Sequence, residues 1–180
     1  NEEIKKIGHN KFYLSGIMMN NGPLKFDAGS DLETFDEKKL LEGYEKINHY
    51  DFQGSTWAPH LIHKEIWEKI GGFSEEFNPG VGSDPDLNMK LWIEGVRIFK
   101  GLSEFRVYHF GSVSLRKKSY LKKNKGSKTF LKKWGITTSF FKKHYLRSDS
   151  EYFGPLDEPK KNVNFYFSLL GCKLKYFFTN

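Results

Sequence analysis

The chain has 180 residues, 38% of them hydrophobic and 17% aromatic, which is enough for one real core and too little for two ordinary domains with linkers. Its longest uncharged run, residues 12–24, contains two Asn, two Gly and a Pro and falls short of the ~20 apolar residues that span a bilayer, so no transmembrane helix is expected. A single cysteine, Cys172, excludes an internal disulfide framework and fits a reducing compartment, and the net charge of +7 is concentrated rather than spread.

In chain order, residues 4–8 read as the tail of a helix. Asn1 stands where Met would be, with no charged-then-apolar leader behind it, and the expectation is a piece of a longer protein. Residues 12–19 are apolar almost throughout and read as a buried strand stopped by Asn20-Asn21-Gly22-Pro23. Asp27 and Asp31 follow in a loop, where ordinary turn chemistry explains them better than a metal pair does. Asp36 is placed to cap a helix running to Ile47, with Leu40, Tyr44 and Ile47 as its apolar stripe and Leu41 beside it. Residues 55–62 read as a second strand, bent or at an edge because of Pro59. A short helix over 64–70 repeats isoleucine every fourth residue and stops at Gly71-Gly72, with Phe73 able to fold back on its last turn.

A glycine- and proline-rich loop, residues 78–83, then leads into Asp84-Pro85-Asp86. The spacing predicts a helix over 85–94 with Asp84 at the N-cap, Leu87, Leu91 and Trp92 on its buried face and Gly95 just past its end. Residues 96–99 and 105–110 read as two strands separated by a turn at Gly101, the second carrying His109. Alternating strands and short helices predict an α/β sheet with its site at the carboxyl ends of strands, where two intervening elements return the chain from Asp84 to His109 on the same rim. Capping alone accounts for Asp84, and a lone histidine is more often a hydrogen-bonded rim residue than a ligand, so the spacing by itself leaves both readings open.

Residues 116–143 hold eleven Lys and Arg side chains and no acid, a block that suits either a phosphate-bearing ligand or a solvated surface. Within it, 128–135 and 140–146 read as short amphipathic helices, which pack on the sheet or, as a second reading, meet an anionic membrane. Residues 148–162 read as a linker with turns, and 163–178 as an aromatic helix docking elsewhere.

With Trp57-Ala58-Pro59-His60, Gly71-Gly72-Phe73, Ser83-Asp84-Pro85-Asp86 and Tyr108-His109-Phe110 in this order, the chain resembles the C-terminal, acceptor-side portion of a family 2 glycosyltransferase with the GT-A fold. The likeness covers roughly residues 12–145. It implies a partial GT-A-like mixed sheet flanked by helices (1–115) with a basic, aromatic helical extension (116–180). It further implies inverting transfer from a nucleotide-diphosphate sugar to a hydroxyl of a carbohydrate or lipid-linked acceptor, in polysaccharide or glycoconjugate biosynthesis. The family's acidic residue at the position of Asp84 is the general base, and its histidine at the position of His109 helps hold a divalent cation, Mn²⁺ or Mg²⁺. Ser83 stands where the family more often has Glu. Trp57 and Asp86 are the expected acceptor contacts, and Arg116 and Lys117 the expected diphosphate contacts. The family's nucleotide-binding strand and Asp-x-Asp motif do not occur ahead of Phe12, so catalysis by these 180 residues alone is expected to be incomplete. The expected location is the cytoplasm, with peripheral contact at the inner face of the membrane. A carbohydrate-binding domain without catalysis and a basic nucleic-acid-binding module are the alternatives.

Overall fold

β1 (Phe12–Asn20) is the strand around which the rest assembles, because its near-continuous apolar sequence can be buried on both faces. The computed structural model describes residues 2–20, 22–78, 80–111 and 125–179. Among the described residues four strands form one mixed sheet in the order β2-β4-β1-β3. β4 (Ile98–His109) runs parallel to β1, whereas β3 (His60–Ile62) pairs antiparallel with β1 and β2 (Phe52–Gln53) antiparallel with β4. The protein is therefore α/β, with helices on a four-stranded mixed sheet.

Pleat alternation divides the side chains of β1 between two faces. Phe12 and Leu14 join Ile98 on one face, covered by Ile4 and Ile7 of α1 (Glu2–Ile7). Tyr13 faces the other way, into the main core with Phe99 and with Leu87, Leu91 and Trp92 of α4 (Ser83–Ile93). Farther along β1, Ile17 and Met19 gather Leu24 and Phe52, with Leu40, Tyr44 and Ile47 packed on them. That stripe belongs to α2 (Glu37–Gly43) and the 3-10 turn Tyr44–Lys46; Asp36 caps α2 by accepting from Lys39 N, as its sequence position predicts. Asp31 accepts three hydrogen bonds within its own turn, from Glu33 N, Thr34 N and Thr34 Oγ1, and Asp27 accepts from Gly29 N. Both aspartates thus serve turns.

Three expectations are corrected. Residues 55–62 are not one strand: only His60–Ile62 pairs, at the sheet edge, after a cis Ala58-Pro59 peptide, and the pairing Phe52–Gln53 comes earlier. The two strands expected over 96–110 are one, β4, with an irregularity that moves the register from Gly16↔Leu102 to Ile17↔Arg106. Gly101 is no turn but an interior strand residue whose missing side chain lets β2 approach; a Cβ there would sit 3.1 Å from Phe52 Cβ. The stretch 148–162 is no free linker either. It lies along β2, with Gln53 N donating to Ser150 O and Tyr152 N to Asp51 O, and so satisfies an edge that would otherwise expose its backbone.

α3 (Lys64–Ile70) ends as its sequence predicts, with Gly71 left-handed at φ 70° and the Phe73 ring edge-on to Trp67 at 5.5 Å. The basic, aromatic part folds as α5 (Gly126–Trp134), then α6 (Thr138–Phe140) continuing into a π-helical turn (Phe141–Leu146), then α7 (Val163–Phe177). Phe130, Phe140, Phe141, Leu146 and Phe165 enter the same core as Tyr13 and Phe99. Each such buried side chain contributes about 1.5–3 kcal/mol, so helices and sheet stabilise one another through a shared interior.

Candidate active site

The rim of the sheet where β3 meets α4 carries the open polar groups. α4 begins two residues earlier than its sequence suggests: Gly82, left-handed at φ 90°, is the N-cap, Ser83 the first helical residue and Asp84 the second. Pro85 still fits, because its missing N–H falls among the donors that have no helical acceptor. No side chain caps this helix. Among the described residues the Asp84 carboxylate takes no backbone N–H, and capping therefore does not account for it.

What Asp84 faces is His60. Its Oδ1 lies 3.4 Å from His60 Nε2, longer than an ordinary hydrogen bond, and its side chain is 42% exposed while that of His60 is 14% exposed. His60 Nδ1 in turn lies 2.6 Å from the hydroxyl of Tyr13, whose single proton can go either to Nδ1 or to Trp57 O, 3.2 Å away. Burial, and after it the Asp84 charge, push the Tyr13 hydroxyl well above its ordinary range, so it stays protonated and can donate to Nδ1. The tautomer that then satisfies both neighbours carries its proton on Nε2, aimed at the Asp84 carboxylate. The chain Tyr13–His60–Asp84 thus runs from the core to solvent and ends in an acid with open lone pairs.

Aromatic walls flank this chain. Trp57, half-buried, donates from Nε1 to Gly16 O at 2.8 Å and meets Phe52 edge-on at 5.7 Å. On the other side the Phe73 ring lies 5.7 Å from His60 and is 43% exposed. A cleft of about 590 Å³ opens there, between Phe73, Ser74 and Glu75 and the residues that lead into Asp84, ending at Ser83.

Asp86 has a different fate from the one expected of it. It is 0% exposed; Oδ2 accepts from Ser74 Oγ at 2.7 Å, and Oδ1 accepts from Trp134 Nε1 at 2.8 Å and pairs with Lys133 Nζ at 3.0 Å. Lys133 also binds Glu76 at 2.6 Å, and these two acids raise its pKa despite the opposing effect of its burial. Asp86 has no solvent face from which to touch an acceptor; it fastens α5 to α4. Gly126 tightens the same joint, since a Cβ there would sit 1.8 Å from Val81 O.

His109 does not join Asp84. It is the last residue of β4, beside Asn20, whereas His60 pairs with Ser15, five positions back along β1, which is roughly 16 Å of strand. Tyr108 and Phe110 both pack on Phe35, and Tyr108 shares its cluster with Trp57, so alternation turns His109 to the opposite face. Among the described residues no group of three or more His, Cys, Asp or Glu is arranged to hold a metal ion. Arg116 and Lys117, the expected diphosphate contacts, lie outside the described residues.

His60 and Tyr13 are the residues that sequence reasoning passes over. Period-2 alternation puts Tyr13 and Ser15 on one face of their strand, yet nothing in the sequence pairs that strand with the three residues after Pro59. The chain has no significant match among models of protein families, among curated proteins or among solved structures.

Proposed function

We propose that this chain is the acceptor-side part of an inverting, GT-A-type glycosyltransferase, and that Asp84 is the base that deprotonates the acceptor hydroxyl. One observation carries the reading: Asp84 is released from capping, half-open to solvent, and backed by a histidine anchored on a buried tyrosine. An acid used only for helix stability has no need of that backing. In the reaction the acceptor's O–H bond breaks, its proton passes to an Asp84 oxygen, and the freed oxygen attacks the sugar carbon from the side opposite the departing nucleoside diphosphate. A positioned base of this kind contributes typically 10²- to 10⁴-fold. His60 faces the carboxylate at 3.4 Å and orients it, while Trp57 and the Phe73 cleft offer apolar faces on which a sugar ring can lie. The resemblance to family 2 enzymes in the Gly-Gly-Phe, Ser-Asp-Pro-Asp and Tyr-His-Phe segments supports the same class, as does the four-stranded α/β sheet.

The test is sugar transfer by the full-length protein that contains this chain, supplied with a panel of nucleotide-diphosphate sugars and hydroxyl acceptors. Release of nucleoside diphosphate with formation of an inverted glycoside is expected, and Asp84→Ala should abolish it while carbohydrate binding persists. Carbohydrate binding with no transfer from any donor would overturn the reading and favour a non-catalytic binding module built on the same aromatic cleft.

A further inference from the structure

We propose that the outward face of α7, together with the cleft beside its C-terminal end, docks on an anionic phospholipid surface. α7 is amphipathic in an unusual sense: its buried stripe, Phe165 and Cys172, faces the shared core, and the opposite stripe is just as apolar. Phe167 is 71% exposed, Leu170 and Leu174 each 53%, Phe177 76% and the following Phe178 82%. At 100° per residue these five fall within one sector, diametrically across from Phe165 and Cys172. A contiguous apolar strip of this size on a helix surface marks an interaction site. The helix has 15 residues, about 22 Å, and no helix of the described residues is long and apolar enough to cross a membrane. Such a helix lies along an interface rather than through it.

Charge decides what covers the strip. Lys173 and Lys175 flank it on its two sides, and residues 125–146 and 159–179, which build α5, α6 and α7, contain ten lysines and no carboxylate. A second copy seated on the same strip would bring two lysine-flanked faces together with no acid to pair them, a repulsion that a closed two-fold contact does not escape. An anionic bilayer offers the complement to both features: acyl chains for the rings and phosphates for the ammonium groups, which reach up along their apolar stems. The neighbouring cleft, about 550 Å³, adds a place for a headgroup. Lys128, Lys175, Thr137 and Ser139 supply its cationic and hydroxyl groups, while Leu174 and Phe178 of the strip form its apolar side.

The experiment is sedimentation of the protein with vesicles of phosphatidylglycerol and phosphatidylcholine mixed 1:3, against vesicles of phosphatidylcholine alone. Binding is expected to the anionic vesicles, weakening with salt. Phe167→Gln/Leu170→Gln/Phe177→Gln should lose at least tenfold in affinity with an unchanged melting temperature, because these side chains touch solvent and not the core. Lys128→Gln and Lys175→Gln should each cost roughly fivefold. Equal binding to both vesicles, or binding unaltered by the triple variant, would overturn the proposal. So would a stable dimer by sedimentation equilibrium that the triple variant dissociates, or occupation of the cleft by inorganic phosphate with no vesicle binding. A failure here leaves the reading of Asp84 untouched, since the two surfaces share no residue.

Discussion

Asp84 and Asp86 stand two residues apart in the first turn of α4, and the fold treats them in opposite ways. Two positions on a helix are 200° of rotation, so one carboxylate faces the open rim of β3 and the other the joint with α5. Asp86 is sealed, with Ser74, Trp134 and Lys133 on its oxygens; Asp84 is half-open, with His60 alone beside it among the described residues. A buried acid with both oxygens engaged holds structure together and is unavailable for anything else. An acid that the helix does not need, oriented by a histidine, is available for proton transfer. The sequence motif is the same for both, and only their surroundings separate the roles.

The comparison breaks most visibly at Asp86. Asp86→Ala leaves the Lys133 ammonium without one of its two acids and Trp134 Nε1 without an acceptor, and should cost about 3–5 kcal/mol, read as a large drop in the urea midpoint. Gly126→Ala attacks the same joint from the other side. Its methyl group meets the backbone at Val81, so the loop into α4 must move, at a cost of about 1–3 kcal/mol, and the His60 resonances should shift as that loop drags Asp84 with it.

A control on the far face uses Lys100, which pairs with Glu3 at 2.7 Å and Asp51 at 2.8 Å. Burial alone would raise Asp51, but Lys100 and the Ser103 N–H more than offset it and hold it below the ordinary carboxylate range. Burial alone would lower Lys100, but its two acids raise it above the ordinary amine range. A lowered acid stabilises the fold above its unfolded value and loses that contribution as pH falls through its folded value; a raised lysine does so below its unfolded value and loses it as pH rises through its folded one. The clamp is therefore intact between about pH 4 and about pH 10. Lys100→Met should flatten both limbs of a stability-versus-pH curve and cost about 1–2 kcal/mol at neutral pH, less than a sealed pair because the two carboxylates remain partly in water. The smallest effect on stability belongs to Asp84→Asn, within about 0.5 kcal/mol, reflecting only the lost charge at a helix N-terminus.

Much of this was legible in the sequence wherever a local rule decides the outcome. The Asp36 cap, the Gly71 stop with Phe73 folded back and the buried stripe of α4 all follow from residues within a few positions of one another. What the sequence hides is decided by pairings across the chain. Gly101 looks like a turn until β2 is known to lie against it, and residues 148–162 look like a linker until Gln53 and Asp51 are seen to need partners. The site follows the same division. Asp84 stands out by its glycine-rich approach and Trp57 by its motif, whereas His60 and Tyr13 meet only through the β1–β3 pairing. His109 is named by its motif and is separated from His60, the neighbour of Asp84, by five positions of register along β1 that no local pattern reveals.

The direct test of the division of labour is to measure Asp84→Asn and Asp86→Asn side by side in the full-length protein, recording turnover under saturating donor and acceptor together with melting temperature. Asp84→Asn should lower turnover about 10²- to 10⁴-fold at a melting temperature close to the parent's, because the amide keeps the shape of the carboxylate but cannot take the acceptor's proton. Asp86→Asn should do the reverse, melting several degrees lower while each folded molecule turns over near the parental rate. Near-parental turnover in Asp84→Asn would contradict the assignment of the base.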